Sequence, residues 1–427
     1  MQIHVVRPGE TLYGIARQYG VSVTLLGRLN QVPAGGALAV GQTLVVYEPE
    51  RVHVVRPGET LEGIARREGV SVLSLYQNNY FLGGRSRILP DEELIVALKG
   101  EKSGTLGVNG YAYTFIRQEQ LRTVLPYITY LTPFTYGVTS QGGLVVPDDG
   151  PLLAAAPQYG AQLWMHLSTL TDSGSFDSRL GGALLENETA QKALIDAVAA
   201  NMAEKGYQGL DVDFEYLEGR QAAAYTPFID ALRQRLNPLG WPVIVALAPK
   251  SSAEQRGLLY EAHDYAALSH AANAVLLMTY EWGYTAGPPM AVAPLPQVRR
   301  GLDYALTEMA PEKIFLGVPT YGYDWPLPFW QGITRAPSLS PQKALALARW
   351  YGAEIQYDET AQSPWFRYTA ETGTVHEVWF EDARSSLAKL RLAADNGLQG
   401  VGLWNLMRDA PQTYLVLNGA FQVEKLA

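Results

Sequence analysis

The sequence predicts an α/β chain: a (β/α)8 TIM barrel with a small α+β insertion between strands 7 and 8, preceded by two small βααβ modules. Three observations predict it. A segment at 3–22 recurs at 52–71. Eight short apolar or aromatic runs then alternate with helical patterns. The interval between the seventh and eighth runs is long and itself alternates like a small antiparallel sheet.

The repeat comes first along the chain. "IHVVRPGETLYGIARQYGVS" returns as "VHVVRPGETLEGIARREGVS", and Gly9 maps onto Gly58, a period of 49 residues. In each copy a short β run, Val5-Val6 or Val54-Val55, enters a Pro-Gly turn. Thr11 or Thr60 stands where a helix N-cap belongs, ahead of Leu12, Ile15 and Ala16, or Leu61, Ile64 and Ala65, at helical spacing. A second helix carries Leu25, Leu26 and Leu29, or Leu73 and Leu75, followed by Asn30 or Asn78. The β runs "QTLVVY" (42–47) and "EELIVAL" (92–98) close the units. The modules therefore span 2–47 and 52–98. "KGEKSGTLG" at 99–107 is a polar, glycine-containing linker, and the barrel occupies 108–427. A self-contained repeat and a polar linker predict that few contacts cross from the modules to the barrel.

The barrel runs are "GYAYTF" (110–115), "LTPFTYGV" (131–138), "AQLWMHLS" (161–168), "GLDVDFEY" (209–216), "PVIVALAP" (242–249), "AVLLMTYEW" (274–282), "IFLGVPTYGYDW" (314–325) and "GVGLWNL" (400–406). Helical stretches such as 189–206 and 225–240 lie between them. The alternating segment 354–382 sets the insertion at about 340–382.

At 427 residues, 47% hydrophobic and 18% charged, the chain reads as globular with two or three domains. The formal charge of −9 lies beyond residue 100, because residues 1–100 hold ten Lys and Arg against nine Asp and Glu. An acidic barrel argues against nucleic acid and for a neutral ligand. There is no cysteine, and the six histidines are scattered, so neither a metal nor a cofactor is expected. No run of eighteen apolar residues predicts a membrane span. The opening "MQIHVVRPGETL" lacks the basic and apolar regions of a standard signal peptide. A monomer is the expected state.

The most informative stretch is "GLDVDFEYLE" (209–218). On a strand, side chains alternate faces, so Asp211, Asp213 and Glu215 share one face and Val212 and Phe214 the other. In a barrel the apolar face packs on the helix ring, and the acids form a ladder inside the lumen, with Glu215 nearest the mouth. Crowded carboxylates retain protons, which favours Glu215 as a general acid. Two other readings of such a set are a carboxylate metal site, with Glu281 and Asp324 as further ligands, and a satisfied polar core. His166 on the third strand reads as a hydrogen-bonded core histidine. Aromatics at strand ends, Tyr136, Trp282, Tyr321 and Trp325, are candidates for stacking on a sugar or for the core.

"RPGETLYGIA" and "RPGETLEGIA" resemble the LysM domain, and the likeness covers residues 2–98. It implies binding of N-acetylglucosamine-containing glycans, peptidoglycan or chitin. The implied groove lies between Gly9, Thr11 and Leu12, or Gly58, Thr60 and Leu61, and the loops near 38–42 and 87–91. The second copy departs from the first where Gly41-Gln42 becomes Asp91-Glu92.

The acid strand resembles the D-G-x-D-x-D-x-E signature of glycoside hydrolase family 18, the chitinase-like enzymes, with Gln208 in place of the first acid, at what reads as the deepest position of the four. "MTYEW" (278–282) and "GLWNL" (402–406) are similar to the family's sixth and eighth strands, with Glu281 where an Asp is common. The resemblance implies retaining, substrate-assisted hydrolysis through an oxazolinium ion. Glu215 is then the acid, Asp213 handles the acetamido N–H with Asp211 beneath it, and Tyr280 binds the acetamido oxygen. Trp404 forms the floor and Tyr111 packs near Asp211; with Glu281 and the strand-end aromatics Trp282 and Tyr321, these two are the expected substrate-binding residues. Modules and barrel together resemble the spore peptidoglycan glucosaminidases of endospore-forming bacteria. That likeness implies a β-N-acetylglucosaminidase acting on cortex peptidoglycan, at the spore coat, cortex or cell wall. The alternatives are a chitinase or chitooligosaccharide hydrolase, and a catalytically silent glycan-binding coat protein.

Overall fold

The computed structural model describes residues 1–33, 35–169 and 177–426. Eight parallel strands close into a barrel. They are β1 (Thr105–Tyr113), β2 (Tyr130–Phe134), β3 (Gln162–Ser168), β4 (Gly209–Asp213), β5 (Val243–Leu247), β6 (Ala274–Leu277), β7 (Ile314–Pro319) and β8 (Gly400–Trp404). Neighbours in sequence are neighbours in the sheet, and β8 returns to β1 with Val401 opposite Val108. A short strand, Gln422–Val423, adds to the start of β1.

The strands are runs of β-branched and aromatic residues buried on both faces, as a parallel sheet under helices requires. The helices carry their own punctuation. Asn187 caps Glu188–Lys205 by accepting from Ala190 N, and Gly206 ends it at φ 75°. The outward face of β4 packs into the helix ring, where Phe214 stacks on Tyr225 and Phe228, each 5.8 Å away.

The lumen is layered. Register pairs Trp164, His166 and Ser168 of β3 with Gly209, Asp211 and Asp213 of β4. In the bottom layer Tyr130 stacks on Trp164 at 3.9 Å, with Phe315 edge-on to both. Gly209 makes that plug possible, because a Cβ there would sit 2.5 Å from the Trp164 indole nitrogen.

The insertion is a five-stranded antiparallel sheet in the order Ser338–Leu339, Gly322–Pro326, Val375–Trp379, Ser363–Thr369, Gln356–Asp358, backed by helix Pro341–Tyr351. It takes its first strand from Gly322, directly after β7, and so starts earlier than the expected residue 340. The alternating 314–325 run is thus two strands in two sheets.

Each module pairs its outer strands antiparallel, Gln2–Val5 with Thr43–Val46 and Pro49–Val54 with Glu93–Leu98. Thr11 and Thr60 cap their first helices at Gly14 N and Gly63 N. The residue equivalent to Asn30 is Asn79, not Asn78. Asn30 bridges Leu26 O and Val45, and Asn79 bridges Leu75 O and Ile95 in the same way.

The modules do not hang free. Thr43 and Gln412 exchange two hydrogen bonds of 2.7 and 2.6 Å, Tyr47 OH donates to Leu415 O, and Gln77 donates to Pro126 O. Tyr159 OH donates to Gly84 O, and Tyr80 stacks on Tyr414 at 5.9 Å. Leu25, Leu29, Val45, Tyr47, Tyr80 and Ile95 belong to the same buried cluster as the barrel's helix ring. The expectation of few crossing contacts is overturned, because the faces that dock have no local signature. Even the polar linker is held, with Ser103 N bonding Ala420 O at 2.7 Å.

Candidate active site

The acid ladder rises through the lumen. Asp211 is fully buried, Asp213 is 6% exposed, and Glu215, just past the end of β4, is half-buried at the mouth. A chain of side-chain bonds anchors the lowest acid: Thr132 Oγ1 donates to Asn109 Oδ1 (2.6 Å), Asn109 Nδ2 to Tyr111 Oη (2.9 Å), and Tyr111 Oη to Asp211 Oδ2 (2.6 Å). Asn109 and Thr132 escaped the sequence reading. Their signal is parity, since Asn109 lies two residues before Tyr111 on a lumen-facing strand.

Burial raises the Asp211 carboxyl to about 8 and Asp213 to about 7. Burial, and then the charge of Asp213, lifts Glu215 well above the usual carboxylate range. The three therefore hold protons among them near neutrality.

Gln208 is a correction. It is exposed and lies on the opposite face from the ladder, accepting from Leu163 N at 3.3 Å. Its parity matches Val212 and Phe214, so it is not the deepest acid position, and it does not line the cleft.

His166 is buried and bonds Thr135 Oγ1 at 2.6 Å through Nδ1, while Nε2 lies 3.6 Å from Asp213 Oδ2. Burial lowers its pKa to about 3, so it is neutral. It borders the acids more closely than a plain core histidine.

Asp213, Glu215, Tyr280, Glu281, Trp282 and Trp404 line one cavity of about 650 Å³ at the C-terminal end of the barrel. Tyr113, Phe134, Tyr216, Pro249, Leu259, Tyr260, Met278 and Tyr284 complete its wall, and sequence reasoning gave none of these a role in the site. Tyr113 follows from strand parity with Tyr111; the others come from loops and strand ends whose direction no local pattern encodes. Tyr280 reaches the cavity because Gly317 on β7 leaves room, a Cβ there falling 2.7 Å from its ring. Trp404 lies beneath the opening, tilted against Tyr111 at 5.7 Å and parallel to Tyr280 at 6.5 Å.

Glu281, at φ 66°, accepts from Tyr321 Oη and, at 3.0 Å, from Tyr323 Oη. Tyr321 thus acts on the cleft through Glu281. Asp324 lies in the insertion sheet with Tyr368 Oη and His376 Nδ1 at 2.7 and 2.8 Å. The two carboxylates offered as further metal ligands are both taken up by phenol or imidazole donors. Among the described residues no group of three or more His, Cys, Asp or Glu is arranged to hold a metal ion. Tyr136 and Trp325 do not reach the mouth: Tyr136 is fully buried with its hydroxyl on Asp149, and Trp325 donates from a fully buried ring to Gly287 O.

In the first module, Thr11 and Leu12 line a second cavity, of about 610 Å³. Gly9 and Gly58 hold turns at φ 79° and 81°. Thr60 is exposed, and Leu61 is fully buried.

An acid ladder ending in a raised carboxyl over an aromatic floor, at the C-terminal mouth of a (β/α)8 barrel, defines a glycoside hydrolase. The chain belongs to glycosyl hydrolases family 18, whose model matches residues 171–409, and the LysM domain model matches 4–46 and 53–97. It is 40% identical to the cortical fragment-lytic enzyme of Bacillus subtilis, over 100% of this chain and 99% of that one. The crystal structure of the spore cortex-lytic enzyme SleL from Bacillus megaterium superposes with a TM-score of 0.85 at 34% identity, covering 100% of this chain and 99% of the other. A chitinase from Chromobacterium violaceum matches 74% of this chain and 98% of its own, with a TM-score of 0.68 at 26% identity. No helix among the described residues is long and apolar enough to cross a membrane.

Proposed function

We propose that the chain is a β-N-acetylglucosaminidase that cleaves N-acetylglucosamine linkages in spore cortex peptidoglycan or its fragments, with retention and substrate assistance. The observation that carries this reading is the convergence of Glu215, Asp213, Tyr280 and Trp404 on one cavity. Glu215, kept protonated by burial and by Asp213, donates its proton to the glycosidic oxygen. The substrate's 2-acetamido oxygen attacks the anomeric carbon as the bond to the leaving oxygen breaks, giving an oxazolinium ion. Asp213 orients the acetamido N–H and stabilises the positive charge that develops there. Asp211, held by Tyr111, supports Asp213 from below. Tyr280 keeps its proton because burial raises its pKa far above the ordinary value, and it donates to the acetamido oxygen. Trp404 supports the apolar sugar face. Glu215, now a carboxylate, takes a proton from the water that opens the ring.

Full-length similarity to a cortical fragment-lytic enzyme supports cortex as the substrate and the spore wall as the place of action. The LysM matches support attachment to N-acetylglucosamine-containing glycan. The partial likeness to a chitinase favours chitin oligomers as the second reading. Mass spectrometry of digests of cortex fragments, vegetative peptidoglycan and chitin oligomers decides. The proposal expects products with N-acetylglucosamine at the new reducing end, released fastest from cortex fragments. Faster release from chitin oligomers selects the second reading.

A further inference from the structure

The two copies of the repeat present opposite versions of one groove. In the first module Thr11, Leu12, Val23, Gly27 and Leu38 line an open cavity. Gly27 keeps it open: a Cβ there would lie 3.1 Å from both Leu12 Cδ2 and Val32 O. The position 49 residues on is Tyr76. Tyr76 and Phe81 pack over the cluster that contains Leu61, the counterpart of Leu12. Leu61 is fully buried, where Leu12 is partly exposed.

Barrel contacts hold the closed form in place. The Tyr76 ring packs edge-on against Tyr159 at 5.8 Å, and its carbonyl accepts from Tyr127 Oη at 3.1 Å. Gln77, the counterpart of Arg28, is buried against Pro126 O. On its other side the second module holds the first: Glu92 pairs with Arg28 at 2.9 Å, and Glu93 accepts from Ser22 Oγ. The first groove faces a different setting. The loop that lines it is pinned at both ends to the barrel's upper rim and insertion, by Gln31 to Asp409 at 3.5 Å and by Ile355 N to Val40 O at 2.9 Å.

We propose that the first module carries the accessory glycan site, and that the second has lost its groove and works as a bracket fixing the first beside the catalytic mouth. The ligand is a β-linked N-acetylglucosamine chain. The inference rests on the reading that these modules recognise such glycans.

The test is calorimetric titration of chitotetraose into the full-length Glu215→Gln chain, in which turnover should be slowed about 10²–10⁴-fold. Two molecules per chain are expected, one in the cleft and one in the first module. Gly27→Tyr, which gives the first module the second's residue, should reduce the number to one. Glu62→Trp, at the exposed counterpart of Tyr13, should leave it at two. If Gly27→Tyr fails to fold, Tyr13→Glu at the exposed lip should weaken one of the two sites at least tenfold and spare the other. Three molecules bound to the parent, or a change in number with Glu62→Trp, overturns the bracket assignment while leaving glycan recognition intact. One molecule bound, with every module variant alike, overturns the recognition reading itself.

Discussion

At the scale of single residues, the ladder separates by depth what its three acids can do. Glu215 is the only one at the mouth, so Glu215→Gln should lower kcat by about 10²–10⁴-fold without loss of the fold. Its proton is held partly by the charge of Asp213, which fixes a sign. If Glu215 is the acid, as proposed, activity should be present while it is protonated and should fall as pH rises through its raised pKa. Asp213→Asn removes that charge, so the alkaline limb of the kcat/KM profile should move to lower pH as the rate drops; an unmoved limb would disconnect the two groups. Asp211 makes a statement about stability instead. Unfolded, it ionises near 4; folded, burial raises it to about 8. The folded state therefore binds more protons between those values, and the stability linked to this group is lost as pH rises through about 8. Asp211→Asn should flatten that decline, measured as melting temperature between about pH 5 and pH 9.

At the scale of the element, β4 shows what alternation conveys and where it was misapplied. The shared face of Asp211, Asp213 and Glu215 is legible because strand geometry leaves no other arrangement for every second residue. The same rule places Gln208 outside with Val212, although its place in a sequence signature reads as the foot of the ladder. Gln208→Asp should accordingly leave kcat and its pH profile unchanged. The true foot is Gly209, where Trp164 fills the space of a side chain. Gly209→Ala should destabilise by about 1–3 kcal/mol through overpacking, read as a shift in denaturant midpoint at constant slope. The support beneath Asp211 was only half legible. Tyr111 stands out as an aromatic at a strand position, whereas Asn109 and Thr132 look like ordinary polar interruptions until three strands are brought together.

At the scale of the whole molecule, the barrel and the repeated modules were readable from periodicity, and their attachment was not. Thr43, Tyr47, Gln77, Tyr127 and Gln412 each read locally as a strand end or a helix face. Their partners lie far off in sequence, Thr43 and Gln412 being 369 residues apart. Removing residues 1–98 would uncover Tyr127 and Tyr414, both fully buried, and each such side chain carries about 1.5–3 kcal/mol. The shortened chain should melt at lower temperature than the full one. The full chain should unfold in a single calorimetric transition, because modules and barrel share one buried cluster. Two well-separated transitions would show that the junction is weak.

The aromatic plug below Asp211 makes the cleft a blind alley. Among the described residues those rings fill the foot of the lumen, so in the proposed reaction water for the second half should come in by the mouth, the same door through which the first fragment leaves. The fold thereby imposes an order of traffic: departure, then arrival. Any sugar hydroxyl waiting at that door is a rival to water, so crowding the solution with short glycans should turn part of the cutting into splicing.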